Sequence, residues 1–235
     1  MAWRDPRQSP DLVSAATALR IETEDLMTEL RTRRPELVAK SDEGRYVEAV
    51  HDASVARELL NFYAALAGKS WVAGSLAVRD VLMADNLAYI VAREHGRGKV
   101  LAFAHNSHLQ RGKAQMHVGP DVYTWWPAGS HLGEMFGPRY AVIGSAVGVS
   151  DANGIGQLEA GTLEACLTAV PGPARFIPTH KGEGLPTSAI TALPTRSGST
   201  KNPTYFALTP QSLTDFDWLV VLDSTSYNRG GPPLQ

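Results

Sequence analysis

Apolar residues recur at spacings of three, four and seven in three long segments of the first half of the chain. Such spacing is typical of amphipathic α-helices, because residues three or four apart share one helix face. It predicts helices over about 11–33, 46–67 and 75–95. Ser9-Pro10-Asp11 carries the N-cap signal of the first helix. The third segment is apolar on nearly every side, which predicts that it is covered on two sides.

Short apolar runs predict strands later in the chain. Lys99–Ala104 (KVLAFA) has the composition of a buried strand, and Tyr140–Val147 and Trp218–Leu222 predict two more. The alternation of helices and strands predicts an α/β fold, with a central sheet flanked by helices and a helical N-terminal part. Three strands make a thin sheet for a chain of 235 residues, which indicates a partial fold.

The remaining segments are weakly patterned. Residues 111–130 and 150–215 show no clear periodicity, apart from a short helix predicted around 162–170 and an extended piece around 205–208. Another short helix is predicted over 130–136. Cys166 lies on an apolar face of its helix, which predicts a buried, inert thiol.

The composition is that of an ordinary globular protein, with 43% hydrophobic and 20% charged residues and a net charge of −2. A sequence pI near 6.4 shows no excess of basic residues of the kind that nucleic-acid-binding proteins carry. No apolar run is long enough to cross a bilayer, and the first residues, MAWRDPRQSPD, lack the apolar stretch of a secretory signal. The single cysteine excludes an internal disulfide and a Cys-rich zinc site. We therefore expect a soluble, cytoplasmic protein without a nucleic-acid or membrane partner.

Several common motifs are absent: the nucleophile elbow Gly-x-Ser-x-Gly, the P-loop and His-Glu-x-x-His. Gly154-Ile155-Gly156 is followed by Glu159, where the dinucleotide fingerprint requires glycine. We therefore predict no cofactor and no bound metal.

Two groups of polar residues remain as candidates for chemistry. Arg79 and Asn86 are seven residues apart on the third predicted helix, so they point within about 20° of each other. Met83 flanks them in an apolar stripe. A buried arginine must be paired, because an isolated buried charge is very costly, so we expect a carboxylate or an anionic ligand beside Arg79.

The second group, His105-Asn106-Ser107-His108, follows the predicted strand 99–104. Ligands of open α/β sheets bind at the carboxyl ends of strands. On a continuing strand the two imidazoles would face opposite sides, so they converge only if the chain turns at Asn106. Imidazole can act as a general base, a general acid, a donor to an oxyanion or a metal ligand.

Longer patterns contain both groups. They are Arg79-Asp80-x-x-Met83-Ala84-x-Asn86, Lys99-Val100, Ala104-His105-Asn106-Ser107-His108, Gly133-x-x-x-Phe136-Gly137-x-x-Tyr140-x-x-x-Gly144 and Asp217-Trp218-Leu219-Val220-Val221-Leu222-Asp223. These motifs resemble those of the erythromycin esterase family, from about residue 47 to 148 and again at 215–225. The resemblance implies an α/β fold with a helical subdomain and metal-independent hydrolysis of an ester, in the best-known members a macrolide lactone.

The resemblance also implies roles for individual residues. His105 and His108 match cleft histidines, with His105 as the acid or electrophilic partner near the substrate carbonyl and His108 as its support. Arg79 matches the Arg-Asp motif and would pair with a carboxylate or an oxyanion. The residues expected to bind substrate are Asn86, Asn106 and Met83.

One family feature is missing from this sequence. Members carry an N-terminal Gly-Glu-x-x-His-Gly motif with the water-activating histidine, and Glu48-Ala49-Val50-His51 lacks both of its glycines. We therefore expect a single partial domain over 1–235, with a helical part (1–70), a helix–strand site region (71–150) and an irregular segment ending in a core strand (151–235).

The leading hypothesis is an esterase-like hydrolase acting on a small-molecule ester by histidine-assisted attack of water. A second is a catalytically inactive homologue that at most binds a ligand or partner. A third is a metal-assisted hydrolase using His105 and His108, which needs at least one further ligand. The sequence determines neither the substrate nor the oligomeric state.

Overall fold

The computed structural model of the chain describes residues 10–66, 71–118, 120–179, 192–199, 201–202 and 204–226. The predicted cap residue Ser9 and residue 67, at the end of the second predicted helix, lie outside them. The described residues form two compact units. The first contains those up to Phe103 together with Lys113–Leu132, and the second contains Ala104–Gly112 and those from Gly133 onward.

The first unit begins with four helices, α1 (Pro10–Thr32), α2 (Arg34–Lys40), α3 (Glu43–Leu66) and α4 (Trp71–Arg93). They confirm the three helices predicted from the apolar spacing. Pro35 lies in the first turn of α2, which follows a break at Arg33, because proline fits the first turn of a helix but not its interior. α1 packs on α3 and α3 packs on α4.

α4 is covered on two sides, by α3 and by the hairpin that follows along the chain. This confirms the prediction that the helix is covered on two sides. Its buried residues are Val72, Ser75, Asp80 and Ala84, whereas Val81 and Ile90 are each 38% exposed. A helix that is apolar on nearly every side does not reveal by its sequence which positions stay open.

That hairpin consists of β1 (Ala114–Val118) and β2 (Asp121–Trp125), paired antiparallel from Ala114↔Trp125 to Val118↔Asp121. The sequence pattern missed it, because Ala114 and Trp125 at one end are the residues buried against the unit while most of β2 is exposed. The fully buried Asp80 accepts hydrogen bonds from the Trp125 indole and from the backbone N–H of Ala128. The next helix, α6 (Ala128–Phe136), confirms the predicted one.

The second unit is built on a three-stranded sheet in the order β3–β5–β4. β3 (Ile143–Val149) is parallel to the central β5 (Trp218–Ser224), and β4 (Ala174–Pro178) is antiparallel to it. β3 and β5 confirm two predicted strands, whereas β4 was not predicted. The described part of this unit also contains three short α-helices, α5 (Asn106–Leu109), α7 (Leu163–Thr168) and α8 (Ser212–Asp215).

The core of the second unit surrounds β5. Its buried members are Val142, Leu163, Leu208, Leu213, Phe216, Leu219 and Val221. A side chain at Gly144 of β3 would lie 2.7 Å from the Phe216 ring, so this position requires glycine for close packing. Alternate residues of β5 thus supply the central apolar contacts of the sheet.

The predicted strand Lys99–Ala104 does not form. The segment joins no strand of the described chain, and Leu101 and Phe103 are 94% and 101% exposed. The prediction of a buried strand is therefore wrong for this structure. A strand needs a partner for its backbone and a surface for its side chains, and no described strand pairs with this segment.

Among the described residues, no helix is long and apolar enough to cross a membrane.

Candidate active site

α5 brings the two candidate histidines of the second unit together. His105 is the N-cap of this helix, in an extended conformation, and its Nδ1 accepts a hydrogen bond from the backbone N–H of Ser107 at 3.2 Å. The chain therefore changes from extended to helical at Asn106, as the turn-forming residues predicted. The His105 and His108 ring centroids are 6.4 Å apart with an edge-on angle of 72°.

Two contacts hold α5 on the sheet. The buried Asn106 amide donates to the carbonyl oxygen of Ser145 at 2.7 Å and accepts from the backbone N–H of Ser145 at 3.1 Å. The Tyr140 hydroxyl donates to the carbonyl oxygen of Leu109 at 2.6 Å, and burial raises the pKa of Tyr140 to about 12. The side-chain amide of Asn106, which was predicted to bind substrate, therefore forms hydrogen bonds with the backbone of β3.

The environment of His105 fixes its tautomer. The Ser107 N–H can only donate, so Nδ1 is an acceptor. The Thr204 carbonyl oxygen can only accept, and it lies 2.9 Å from Nε2, so Nε2 carries the proton. The site therefore presents one imidazole N–H donor to a carbonyl oxygen.

The surroundings of the His105 ring favour its neutral form. Partial loss of water around the ring lowers its pKa below the usual 6.5, the Thr204 hydrogen bond opposes this, and the neighbouring His108 lowers it further. His108 itself is buried, at 9% exposure. A neutral ring with its N–H directed at a carbonyl suits electrophilic assistance, since its lone pair at Nδ1 is already engaged.

Residues 204–208 lie against the Nε2–H donor of His105, and Glu164 holds this segment in place. Glu164, which is fully buried in α7, accepts from the backbone N–H of Leu208 at 2.7 Å through Oε1, and its Oε2 has no hydrogen-bond partner among the described residues. Phe206 lies edge-on to His105, with centroids 6.0 Å apart. Sequence reasoning missed both Glu164 and Thr204, because backbone carbonyls and short-helix residues carry no motif.

Arg79, Met83 and Asn86 belong to the first unit, whereas His105 and His108 belong to the second. Arg79 is exposed, and no ion pair joins it to another described residue. The expectation of a buried, paired arginine is therefore wrong, because the buried face of α4 carries its neighbour Asp80 instead.

Asn86 is exposed and lines a groove of about 350 Å³ between α3 and α4. Other lining residues include His51, Tyr89, Glu58 and Asp85. The rings of His51 and Tyr89 stack across the helices with centroids 3.5 Å apart. Burial raises the pKa of Glu58, and the charge of Asp85 raises it further.

Two other expectations bear on the chemistry. Cys166 is exposed, so the prediction of a buried thiol is wrong: α7 turns Leu163 and Glu164 inward instead. Within the described ranges, no group of three or more His, Cys, Asp or Glu side chains could hold a metal ion. The metal-assisted hypothesis thus gains no ligand beyond its two histidines.

Solved structures of known proteins share this fold. A protein from Bacillus cereus matches with a TM-score of 0.67 and 19% identity, over 91% of this chain and 53% of that one. A succinoglycan biosynthesis protein matches with a TM-score of 0.63 and 18% identity, over 91% and 51% of the two chains. A variant of the erythromycin esterase EreC, in its open conformation, matches with a TM-score of 0.64 and 17% identity, over 93% and 54%.

The chain therefore spans about half the length of the solved structures it matches. No protein in a search of the curated sequences matches it significantly. The family model described as erythromycin esterase matches residues 4–225, which is nearly the whole chain. This match agrees with the motifs around Arg79 and His105, and the chain belongs to the erythromycin esterase family.

Proposed function

We propose that this chain contributes the carbonyl-polarising part of an ester hydrolase site, with His105 as the group that touches the reacting ester. The observation that carries the proposal is the 2.9 Å hydrogen bond between His105 Nε2 and the Thr204 carbonyl oxygen. A substrate carbonyl that took the place of the Thr204 carbonyl would accept a hydrogen bond from the same N–H group. The donor would strengthen its bond as negative charge develops on that oxygen.

The neutral tautomer makes His105 a hydrogen-bond donor to the substrate and leaves the role of general base to another group. Attack of water on the ester carbon places negative charge on the carbonyl oxygen, which the His105 N–H stabilises. His108, edge-on at 6.4 Å, limits the space into which the His105 ring can rotate. The group that takes the proton from water is not assigned to this chain, since the sequence lacks the Gly-Glu-x-x-His-Gly motif.

The substrate class is a carboxylic ester, and a macrolide lactone is the specific candidate suggested by the family. Substrate choice depends on the loops around the site, which the family motifs do not specify. Arg79, which lies in the first unit, remains the proposed cation that pairs with a carboxylate or an oxyanion.

The test is hydrolysis of 4-nitrophenyl acetate and of erythromycin by the purified chain and by His105→Ala. Loss of a single oxyanion donor typically lowers kcat by about 10²–10³-fold, and we expect a loss of this size. The matched control is His117→Ala, which removes an exposed histidine of β1 in the first unit and should retain full activity. Activity that survives His105→Ala would contradict the assignment.

A second candidate function is ligand binding without turnover. The observation that favours it is that both ring nitrogens of His105 are already paired within the chain, with Ser107 and with Thr204. It predicts that neither ester is hydrolysed faster than in buffer, while erythromycin still perturbs the His105 ring signals in an NMR titration. The two candidates are therefore separated by turnover of the unmodified chain.

A further inference from the structure

The Glu164 carboxyl group is buried inside the second unit, and its contacts all lead to one short piece of chain. The residue is 0% exposed. Its Oε1 accepts a hydrogen bond from the backbone N–H of Leu208 at 2.7 Å and another from the Tyr205 hydroxyl at 3.4 Å. Among the described residues, these are the only hydrogen bonds of the carboxyl group. A buried carboxylate is costly unless it is hydrogen-bonded, so Glu164 depends on the donors that residues 204–208 bring to it.

α7 gives the Glu164 carboxyl group a fixed position. The N-cap of this helix, Thr162, is buried, and its hydroxyl accepts from the backbone N–H of Ala165 at 3.3 Å. The adjacent Leu163 belongs to the core of the unit, and α7 packs against β3 and β5. The carboxyl group is therefore attached to a firmly packed helix, whereas residues 204–208 contain no helix or strand of their own.

The Tyr205 hydroxyl stays a hydrogen-bond donor at neutral pH. Burial, and then the negative charge of Glu164, raise the pKa of Tyr205 to about 12, and the charge of the Arg196 guanidinium opposes this rise. The hydroxyl therefore keeps its proton and can donate it to Glu164 Oε1. Because the two donors are three residues apart in the chain, one carboxyl group fixes the backbone from Tyr205 to Leu208.

The same segment occupies the donor of His105. The carbonyl oxygen of Thr204 lies 2.9 Å from His105 Nε2, and Thr204 directly precedes the Tyr205 that Glu164 holds. Phe206 lies edge-on to the His105 ring, with centroids 6.0 Å apart. An imidazole N–H carries one proton, so a substrate carbonyl can accept it only after the Thr204 carbonyl has moved away. The internal contact and an ester substrate therefore compete for one donor.

We propose that Glu164 is the latch of an inhibitory contact within the chain, because it holds residues 204–208 where the Thr204 carbonyl occupies the His105 N–H. Glu164 is a positioning residue, since it acts through this segment. When Leu208 and Tyr205 leave its carboxyl group, the Thr204 carbonyl is released and the His105 N–H becomes available to the carbonyl of a carboxylic ester. The consequence for catalysis rests on the proposed function of His105, whereas the latch itself can be measured without turnover.

The latch is tested by the exchange of the His105 Nε2 proton with water, followed by NMR on the full chain with isotopically labelled histidine. Glu164→Ala removes the acceptor for both donors. We expect the proton to exchange about fivefold faster, the factor that corresponds to losing one typical hydrogen bond. Glu164→Gln keeps an oxygen acceptor in the same place and should keep the slow exchange.

Two further variants separate the latch from a general loss of stability. Tyr205→Phe removes one of the two donors and leaves the carboxyl group in place, and it carries the test if Glu164→Ala does not fold. We expect about twofold faster exchange, because a contact of 3.4 Å is a weak hydrogen bond. The matched control is Leu163→Ala, which removes a core side chain of α7 and should lower the thermal midpoint without speeding the exchange.

The rate of ester hydrolysis gives the functional readout. Glu164→Ala should raise kcat/KM for 4-nitrophenyl acetate by about fivefold, because substrate no longer displaces a held carbonyl. The gain should be lost in Glu164→Ala/His105→Ala. A residue with a merely structural role would lower the rate when it is removed, so the sign of the change separates the two roles.

Three results would overturn the latch. The first is unchanged exchange of the His105 proton in Tyr205→Phe and in a folded Glu164→Ala. The second is equal acceleration by Leu163→Ala, which would mean that any loosening of α7 exposes the ring. The third is a lower kcat/KM in Glu164→Ala, with turnover that still depends on His105. If the unmodified chain hydrolyses no ester, the proposed function fails, and the exchange of the His105 proton alone decides whether the latch exists.

Discussion

The segments Lys99–Ala104 and Trp218–Leu222 have nearly the same residue types, yet they have opposite environments. Leu219 and Val221 of the central strand β5 are completely buried in the core, whereas Leu101 and Phe103 are almost completely exposed. Both segments have strand propensity, but β5 has neighbours on both edges and the other segment has none among the described strands. The comparison indicates that a strand sequence becomes a strand only when partners are supplied.

The largest expected difference is between Leu219→Ala and Leu101→Ala. The first removes a core side chain of β5 and should lower the free energy of unfolding by about 2–5 kcal/mol. The second changes an exposed side chain and should alter it by less than about 0.5 kcal/mol. Urea unfolding of both variants measures the two changes in the free energy of unfolding. If Leu101→Ala cost as much as Leu219→Ala, the segment would be buried in solution.

Gly144→Ala tests how tightly β3 packs against the Phe216 ring and Leu219. The added Cβ would lie 2.7 Å from the Phe216 ring and 2.9 Å from Leu219 Cδ2, so the strand or the ring must shift. We expect a loss of about 1–3 kcal/mol from overpacking. Gly74→Ala on α4 meets nothing within 4 Å and should instead stabilise by up to about 1 kcal/mol. Equal thermal midpoints for the two variants would contradict this account.

The edge of β3 beside α5 is closed by a side chain, unlike the edges of Lys99–Ala104. Asn106→Ala leaves the Ser145 N–H and carbonyl without their partner and should cost about 1–2 kcal/mol. Asn86→Ala removes the same side chain from an exposed site on α4 and should have little effect. Chemical unfolding distinguishes them, and a neutral Asn106→Ala would show that this edge tolerates an open backbone as well.

The smallest expected effect is the pH dependence caused by His105, which ends the exposed segment. Its pKa in the folded chain is lowered, chiefly by burial, so the unfolded chain binds more protons between that pKa and 6.5. The free energy of unfolding should therefore fall as the pH falls through this window. His105→Gln should lack this component in melts recorded across the same range. An unchanged pH slope would mean that the ring titrates normally.

Much of the fold could be predicted from the sequence. The spacing of apolar residues located α1, α3 and α4, and the apolar runs located β3 and β5 within a few residues. These elements depend on local periodicity and burial on one face, which the residues themselves express. The hairpin and β4 were missed because their strands are mostly exposed and alternate weakly.

The candidate site was predictable only in part. The His105–His108 spacing with Asn and Ser between predicted the turn that brings the rings together, and the structure contains it. The tautomer of His105 depends on the carbonyl oxygen of Thr204, which is 99 residues away along the chain. No local pattern encodes such a contact. The expected burial of Arg79 failed for a related reason, since the phase of an apolar helix is set by what packs against it.

The sequence by itself determined the family, the long helices, the two strands of the parallel pair and the turn at Asn106, because these rest on residue types at fixed local spacings. The tertiary structure decided which face of α4 is buried, that Asn106 serves β3, and that Nε2 of His105 carries the proton. It also decided that Leu101 and Phe103 stay exposed. Pairing and burial are properties of two surfaces, and a sequence pattern describes only one of them.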